Sequence, residues 1–319
     1  MRAIVVREFG EPDVLRVEDV PQPSPGPGQV RIRVHAVGVN PVDTYIRAGL
    51  YARKPPLPYT PGADAGGVVD AVGPGVTGLG AGDRVYGFAL TAACAEFVVG
   101  EAWQVRPLPE RVTCAQGAAI GIPYGTAWRA LFMRGAARPG ETVLVHGASG
   151  GVGLAAVQLA RARGLRVIGT AGSPAGLDLV AAQGADHVVN HREAGYEARL
   201  LDLTGGRGAD VVIEMLANVN LDRDLDLLAM HGRIVLVGNR GRIEIDPRKA
   251  MSRDASILGM LHFTTPRAAL DEIHAGIDAG LRNGTLTPVI RMEMPFGRAS
   301  DAHRAVMAPG ALGKIVLVP

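Results

Sequence analysis

Residues 141–170 read ETVLVHGASGGVGLAAVQLARARGLRVIGT, and this stretch decides the fold of the chain. The apolar run from Thr142 to His146 predicts a buried β-strand, and residues 154–164 carry apolar side chains at helical spacing. Gly164 predicts the end of that helix. A second apolar run from Arg166 to Thr170 follows at once. Strand, helix and strand in this order predict a βαβ unit, and therefore a parallel sheet covered by helices.

The turn between the first strand and the helix reads ASGGVG, residues 148–153. It differs by one residue from the GxGxxG pattern of dinucleotide-binding folds, because Ala148 stands where the first glycine is usual. Gly150 would let the backbone approach a pyrophosphate, and Gly153 would let the helix pack closely on the strand. The N–H groups at the start of the helix would bind the phosphates. The residues predicted to form this phosphate site are Ser149, Gly150, Gly151 and Val152.

The end of the second strand indicates which nicotinamide cofactor is bound. In NAD enzymes an acidic residue about 20 positions after the glycines binds the ribose 2′-hydroxyl. Here the strand end reads TAGS, residues 170–173, and offers no carboxylate that would repel a 2′-phosphate. Ser173, His191 and Arg192 could lie beside that phosphate after the next strand. The sequence therefore predicts NADPH rather than NADH.

The rest of the 319 residues divides into two patterns, and two domains are expected because a single core rarely grows beyond about 250–300 residues. Up to residue 122, short β-branched runs alternate with Gly and Pro clusters, which predicts a mostly antiparallel, barrel-like unit. From residue 123 the βαβ pattern continues with apolar strands at 210–214 and 233–237. After residue 264 a helix precedes GKIVLVP, whose β character predicts a return to the first domain.

Composition excludes several classes of protein. The net charge is +2 and no basic, aromatic-interleaved segment stands out, which disfavours nucleic acid as a partner. Cys94 and Cys114 do not form a CxxC motif, so neither a disulfide framework nor a Cys-rich zinc site is expected. No apolar run reaches the roughly 18 residues that span a bilayer, and MRAIVVREFG resembles a first strand rather than a secretion signal. A cytoplasmic protein is predicted.

A second motif overlaps the glycine-rich turn. Residues 147–151 also fit GxSxG, the nucleophile elbow of α/β-hydrolases, with Ser149 as the nucleophile. Asp224 and His262 follow in the order that a catalytic triad would need. The hydrolase alternative explains neither Gly153 nor the β domain, so dinucleotide binding is favoured.

Six blocks of the sequence match a known family: NPVDTYIRAG (40–49), PYTPGADAGGVV (58–69), AAIGIPYGTAWRAL (118–131), VLVHGASGGVG (143–153), IEMLANVNLDRDL (213–225) and RIVLVGNRGRIEI (233–245). They closely resemble the zeta-crystallin-like quinone oxidoreductases, which are zinc-free members of the medium-chain dehydrogenase/reductase superfamily. The resemblance implies an α/β protein with a GroES-like, mostly β catalytic domain (1–122, completed by 264–319). A Rossmann domain (123–263) would bind NADPH in the cleft.

The resemblance also implies positions for the cofactor. Tyr45 would lie near the nicotinamide, residues 149–152 would hold the pyrophosphate, and Gly172 and His191 would line the adenosine end. A homo-oligomer, dimer or tetramer, is implied as well. The further cofactor contacts implied in this way are Asn220, Val237, Gly238, Asn239, Arg240, Met260, Leu261 and His262.

The same resemblance bears on metal chemistry. Zinc-dependent alcohol dehydrogenases of the superfamily place a Cys and a His where this chain has Asn40 and Ala63, and they carry a four-Cys lobe that is absent here. Asn and Ala supply neither thiolate nor imidazole, so no metal is expected. A quinone is already electrophilic and needs only positioning and hydrogen bonds to its developing oxyanion. Tyr45 and Asn40 are the candidate catalytic donors.

The predicted function is therefore NADPH-dependent, zinc-independent reduction of a small-molecule quinone. Transfer as a hydride and transfer in single-electron steps both fit the residues. Reduction of conjugated enones or enoyl thioesters is the nearest alternative, because the same donors would serve it. Binding of AU-rich RNA, which the resemblance also implies, is a distant alternative that no sequence feature supports. A serine hydrolase is the other distant alternative.

Overall fold

The computed structural model describes residues 1–52 and 54–319. The chain forms two compact units. The first comprises Met1–Ile122, Thr287–Pro309 and Gly313–Pro319, and the second comprises Pro123–Leu286 and Gly310–Leu312.

The return of the chain to the first unit differs from the sequence interpretation. It comes at Thr287 and not at residue 264, because residues 264–286 group with the second unit. The helix Arg267–Asn283 lies in this segment, and its Gly276 lies against the indole ring of Trp128, which also belongs to the second unit. A change of pattern at residue 122 coincides with the first boundary.

The structure contains strands and helices along its whole length. The strands are β1 (Arg2–Val6), β2 (Leu15–Asp19), β3 (Gln29–Gly38), β4 (Ala65–Val72), β5 (Arg84–Gly87), β6 (Phe97–Glu101), β7 (Val105–Pro107), β8 (Thr142–Val145), β9 (Arg166–Ala171), β10 (His187–Asn190), β11 (Ala209–Glu214), β12 (Leu228–Leu236), β13 (Ser256–Gly259), β14 (Ile290–Pro295) and β15 (Lys314–Val318). The α-helices are α1 (Pro41–Arg47), α2 (Cys114–Gly117), α3 (Gly121–Trp128), α4 (Gly151–Ala162), α5 (Pro174–Ala182), α6 (Tyr196–Leu203), α7 (Ala217–Leu227), α8 (Pro247–Ser252), α9 (Arg267–Asn283) and α10 (Ala299–Met307).

The first unit is built on β-structure. Strands β1 and β2 form an antiparallel pair, and a larger sheet has the order β14-β15-β3-β4-β5-β7, with β6 also paired to β3. Its neighbours are antiparallel except β14 and β15. The terminal strand β15 pairs with β3, so the C-terminal residues return to this unit as their β character indicated. Buried residues of its core include Ile4, Val30, Ile32, Val69 and Leu317.

The second unit contains a six-stranded parallel sheet with the order β10-β9-β8-β11-β12-β13. From β8 the chain moves outward to β9 and β10, and then returns to β11 on the other side of β8. Strand order therefore reverses between β8 and β11, and ligands of doubly wound folds bind at such a switch point. This sheet confirms the predicted doubly wound α/β fold.

Helix α1 starts at Pro41, and its N-cap is Asn40. Proline at the first helical position has the backbone angle that a helix needs, which explains the start at this residue. Asp43 lies inside the first turn, where its Oδ2 accepts the N–H of Asn40 at 2.8 Å.

Within the described part of the chain, none of the helices has both the length and the apolar character that a membrane crossing requires.

Candidate active site

The turn from β8 into α4 has the shape of a phosphate site. Gly147 has a φ of 57°, in the left-handed region that favours glycine. Gly150 is the N-cap of α4, and no side chain caps the first amides of this helix. A Cβ on Gly153 would lie 2.5 Å from the carbonyl oxygen of Gly147, so only glycine lets the helix approach the turn this closely. The turn thus presents uncapped N–H groups to an anion.

The end of β9 brings together residues that the sequence could only suggest as neighbours. A Cβ on Gly172 would lie 2.8 Å from both Nε2 of His191 and Nε of Arg192. Ser173 is the N-cap of α5, and its hydroxyl accepts the N–H of Gly176 at 3.2 Å. Burial, assisted by nearby cations, lowers the pKa of His191, so Arg192 supplies the permanent positive charge at this end.

Hydrogen bonds join the segments that follow β11 and β12. The N–H groups of Val237 and Gly238 both donate to the carbonyl oxygen of Glu214, at 2.9 and 3.2 Å. Asn220 donates through Nδ2 to both carboxyl oxygens of Glu214, at 3.2 and 3.3 Å. The N–H of Arg240 donates to the Asn218 side chain at 2.9 Å, while Asn239 donates to the Gly241 carbonyl at 2.8 Å. The predicted cofactor residues Asn220 and 237–240 therefore lie together in the second unit.

The segment after β13 holds the last predicted cofactor residues. The N–H of Met260 donates to the Leu236 carbonyl at 3.3 Å, and Arg129 donates to the carbonyl of Leu261. Burial and the charge of Arg129 lower the pKa of His262 to about 4. His262 is therefore uncharged at neutral pH and offers hydrogen bonding rather than charge to a ligand.

A buried group of three side chains, which sequence reasoning missed, joins β8, β11 and α7. We call His146, Glu214 and Asp224 the histidine cluster. Nε2 of His146 lies 2.8 Å from Oδ1 of Asp224 and 3.8 Å from Oε2 of Glu214. All three residues are at most 3% exposed. Among described residues this is the one group of metal-ligand side chains within 4.8 Å of one another, but its members bond to each other directly.

The hydrolase alternative is wrong in its triad. Asp224 hydrogen-bonds His146 and not His262, because α7 buries Asp224 against the end of β8. Nδ1 of His262 lies 3.5 Å from the hydroxyl of Thr265. Asp224, the acid of the triad that Ser149 would require, therefore hydrogen-bonds a histidine outside that triad.

The first unit carries the two predicted catalytic donors on or beside α1. Tyr45 is partly exposed, and within the described residues its hydroxyl has no hydrogen-bond partner. Asn40 is 2% exposed and is fully engaged. Its Oδ1 accepts from the Lys314 ammonium, and its Nδ2 donates to Asp64 Oδ2 at 3.0 Å and to the Gly38 carbonyl at 3.4 Å. Tyr45 is therefore the freer donor of the two.

The partners of Asn40 form a second buried group. We call Asn40, Asp43, Asp64 and Lys314 the lysine cluster. Asp43, Asp64 and Lys314 are 7%, 0% and 5% exposed. Burial raises the pKa of Asp43 to about 7 and raises that of Asp64, while the nearby ammonium opposes both shifts. Asp64 follows Ala63 directly, so a charged cluster lies beside the two positions at which zinc enzymes of the superfamily carry Cys and His.

Comparison with known proteins places the chain in a family. Residues 26–134 match the family described as alcohol dehydrogenase GroES-like domain, and residues 151–275 match the family described as zinc-binding dehydrogenase. The chain is 50% identical to the quinone oxidoreductase of Rattus norvegicus and 48% identical to that of Homo sapiens. Each alignment covers 100% of this chain and 98% of the relative.

Solved structures agree with the sequence relatives. Similar structures include an NAD-dependent alcohol dehydrogenase (TM-score 0.92, 33% identity, 100% of both chains) and a mycobacterial protein complexed with NADPH (0.90, 34%, 100% of both). An enoyl reductase is also similar, with a TM-score of 0.90, 26% identity, and 99% and 98% of the two chains covered. The fold is that of an NAD(P)-binding dehydrogenase. The chain is an oxidoreductase that belongs to the quinone oxidoreductase family of the medium-chain dehydrogenase/reductase superfamily.

Proposed function

We propose that this chain catalyses the NADPH-dependent reduction of quinones without a metal. The observation that carries the proposal is the uncapped, glycine-lined turn from β8 into α4, which suits a dinucleotide pyrophosphate. The identity of about one half to quinone oxidoreductases supports the choice of substrate. Neither Asn40 nor Ala63 offers a ligand that zinc prefers, and this favours an acceptor that needs no Lewis acid.

The second unit would hold the cofactor along the carboxyl ends of its strands. Residues 149–152 would bind the pyrophosphate, and Asn220, 237–240 and 260–262 would line the nicotinamide half. Gly172, Ser173, His191 and Arg192 would surround the 2′-phosphate, where the charge of Arg192 and the small Ala171 favour NADPH. Bound there, the reduced nicotinamide would supply the reducing equivalents, as a hydride or in single-electron steps.

Tyr45 is our candidate for the group that acts on the substrate. Its free hydroxyl can donate a hydrogen bond to the quinone oxygen on which negative charge develops. The direct role of Asn40 stays a prediction, and its hydrogen bonds favour a positioning role. Through Lys314 and Asp64 it fixes the start of α1, the helix that carries Tyr45.

The test of the reaction is NADPH oxidation by the purified protein with an ortho-quinone, a para-quinone and a conjugated enone in parallel. We expect the quinones to be reduced faster than the enone. Tyr45→Phe should lower kcat about a hundredfold, as loss of one oxyanion donor does. Tyr196→Phe on α6 serves as the matched control and should leave kcat unchanged. Turnover of none of the three acceptors would refute the proposal.

The test of the cofactor is Ala171→Asp. Ala171 is 1% exposed at the end of β9, so an aspartate there would place a carboxylate beside the 2′-phosphate site. Repulsion should weaken NADPH relative to NADH at least about tenfold in a binding titration. Ala162→Asp, at the opposite end of α4, should leave the selectivity as it is. Equal selectivity in both variants would argue against the assignment of NADPH.

Reduction of enones or enoyl thioesters is the second candidate. It is favoured by one observation, the TM-score of 0.90 to an enoyl reductase. The same hydride and the same tyrosine donor would serve an activated C=C bond. Faster turnover of the enone than of either quinone in the parallel assay would select this function.

We also propose that the protein is a homo-oligomer, a dimer or a tetramer. Strand β13 is an edge of the six-stranded sheet, and its Ile257 is 37% exposed, so this edge is available to a second copy of the chain. Light scattering in solution tests this, and a mass equal to one chain would contradict it. The cytoplasmic location stays a prediction. The assignment of the catalytic domain to one part of the chain also stays a prediction.

A further inference from the structure

The histidine cluster lies at the switch point of the parallel sheet. Strands β8 and β11 are neighbours there, His146 directly follows β8, and Glu214 ends β11. Asn220 on α7 donates its amide to both oxygens of Glu214. The cluster therefore touches one of the proposed cofactor residues, although no member of it belongs to the glycine-rich turn.

The contacts around His146 indicate that Nε2 carries a hydrogen. Burial lowers the pKa of His146, but the neighbouring Asp224 and Glu214 outweigh it, so the pKa of the imidazole is raised. The hydroxyl oxygen of Thr170 accepts the N–H of Gly147 at 3.3 Å and lies 3.3 Å from Nδ1 of His146. The threonine hydroxyl can therefore donate to Nδ1. Nε2–H then donates to Oδ1 of Asp224 at 2.8 Å.

The second oxygen of Asp224 lacks a donor. Among the described residues nothing hydrogen-bonds Oδ2 of Asp224, which is buried. A buried carboxylate oxygen without a hydrogen-bond donor lowers the stability of the fold. Two ionised carboxylates that lie as close together as those of Glu214 and Asp224 also repel each other. Oε1 of Glu214 already accepts from the Leu216 N–H and from Asn220, whereas Oε2 of Glu214 has a longer contact to Asn220 and faces the cluster. A proton on Oε2 would remove both problems.

We propose that Glu214 keeps a proton on Oε2, donates it to Oδ2 of Asp224, and as a neutral group positions Asn220 for the cofactor. The protonation stands on the cluster alone, and the role of Asn220 rests on the proposed function. Neutral Glu214 keeps Oε1 as the acceptor for Nδ2 of Asn220. The amide is thereby held in one orientation, with its carbonyl oxygen left for a ligand. Glu214 is a positioning residue and does not touch the cofactor.

The groups around Glu214 set the direction of the pH dependence. Burial, and after it the charge of Asp224, raise the pKa of Glu214 to about 7 although His146 opposes this. Arg223 on α7 and His191 after β10 are the other charged or titratable groups that act on His146. As the pH rises through about 7, Glu214 ionises and is repelled by Asp224, and this repulsion displaces the carboxylate oxygens that hold Asn220. Cofactor affinity should therefore fall as the pH rises.

Infrared spectroscopy of the protein without cofactor tests the proton. At pH 6 the wild type should show a C=O stretch of protonated carboxyl groups, to which Asp43 also contributes. The difference between the wild-type and Glu214→Gln spectra should contain one such band at pH 6, and this difference band should weaken toward pH 9. Asp222→Asn is the matched control on α7, since Asp222 is ion-paired with Lys249, and it should keep the band. Absence of this band overturns the proposal, and so does one tightly held divalent metal ion per chain. This measurement is independent of any enzymatic activity.

Titration with NADPH by fluorescence tests the positioning role. From pH 6 to pH 9 the wild-type Kd should rise about three- to tenfold, the effect of losing one hydrogen bond. Glu214→Gln carries an amide that can donate to Asp224 at every pH, so its Kd should match the wild-type value at pH 6 and stay flat. Asp222→Asn should follow the wild type. A Glu214→Gln profile that rises like the wild type overturns the role of Glu214.

Discussion

Each unit of the molecule buries a pair of acidic side chains, and the two pairs are compensated differently. In the lysine cluster, Asp43 and Asp64 lie with an ammonium group, that of Lys314. In the histidine cluster, Glu214 and Asp224 lie with an imidazole, which has two nitrogens and directs one of them to Thr170. A cation with three donors can serve both acids of its pair, whereas one imidazole N–H serves one oxygen.

This difference between the two clusters shows how each unit compensates its buried acids. In the lysine cluster the ammonium opposes the rise in the pKa of both acids, although burial still raises the pKa of Asp43 to about 7. The histidine cluster has one hydrogen too few for its four carboxyl oxygens, so a proton completes it. Ordinary sequence patterns, such as an apolar strand ending in a polar residue, are the same in both units. The chemistry of the buried partner therefore decides how many of the buried acids receive a charge or a hydrogen-bond donor.

The largest effect should come from Lys314→Met. The substitution removes the buried ammonium that donates to Oδ1 of Asn40 and whose charge favours the ionised forms of Asp43 and Asp64. The loss of unfolding free energy should approach the roughly 3–5 kcal/mol that breaking a buried ion pair costs. Urea denaturation of the full chain at pH 7 measures it. A double variant, Lys314→Met with Asp64→Asn, should recover part of the loss because one of the two acids is removed.

A surface lysine is the control for this variant. Lys249 also contacts two acids, Asp222 and Asp226, at 2.6 and 2.7 Å, but all three side chains are at least 27% exposed. Lys249→Met should therefore cost less than about 1 kcal/mol. Equal losses in Lys314→Met and Lys249→Met would mean that the lysine cluster gains nothing from its buried cation.

A smaller effect is expected from His146→Phe. The ring volume is kept, but Oδ1 of Asp224 loses its donor, and an unsatisfied buried acceptor costs about 1–3 kcal/mol. The same denaturation experiment measures it. His231→Phe is the control, because His231 bonds Asp254 in an exposed pair whose side chains are 74% and 80% exposed. No difference between the two phenylalanine variants would show that the histidine cluster adds nothing to stability.

Much of the second unit could be predicted from its sequence, because its signals are local. Residues 142–146, 154–164 and Gly164 predict a strand, a helix and its end from spacing alone, and the structure confirms them. The glycine-rich turn is likewise a short, continuous motif. The meeting of Gly172 with His191 and Arg192 follows once β9 and β10 are known to be neighbours.

The two clusters could not be predicted, because their members are far apart in the sequence. Lys314 and Asn40 are separated by 274 residues, and a lysine before an apolar strand usually marks a solvated strand end. Asp224 belongs to a helix that also carries Asp222 and Asp226, and those two acids lie in partly exposed ion pairs with Lys249. The one available signal was His146, a polar residue between a buried strand and a glycine-rich turn. Tertiary packing, rather than spacing, decides which acids are buried.

The smallest effect is a pH dependence of stability to which both clusters contribute. Glu214 has a pKa raised from 4.5 to about 7 in the folded chain, so the folded state keeps a proton that the unfolded state releases. Its stabilisation is complete below about pH 4.5 and is lost as the pH rises through about 7, by at most about 1.4 kcal/mol per pH unit. Asp43, raised from 3.8 to about 7, adds to the slope in the same window.

Glu214→Gln should remove the contribution of the histidine cluster to the pH dependence of the unfolding free energy. Asp43→Asn should remove the contribution of the lysine cluster. Urea midpoints at pH 5, 6, 7 and 8 measure both. Asp222→Asn is the control, because the pKa of Asp222 is lowered by Lys249 and its titration lies below this window. If Glu214→Gln alone flattens the slope, the ammonium of Lys314 keeps Asp43 ionised and the contrast between the clusters is sharpened. If neither variant flattens it, the proton on Glu214 is refuted, because Glu214 is the carboxyl group of the histidine cluster whose pKa is raised to about 7.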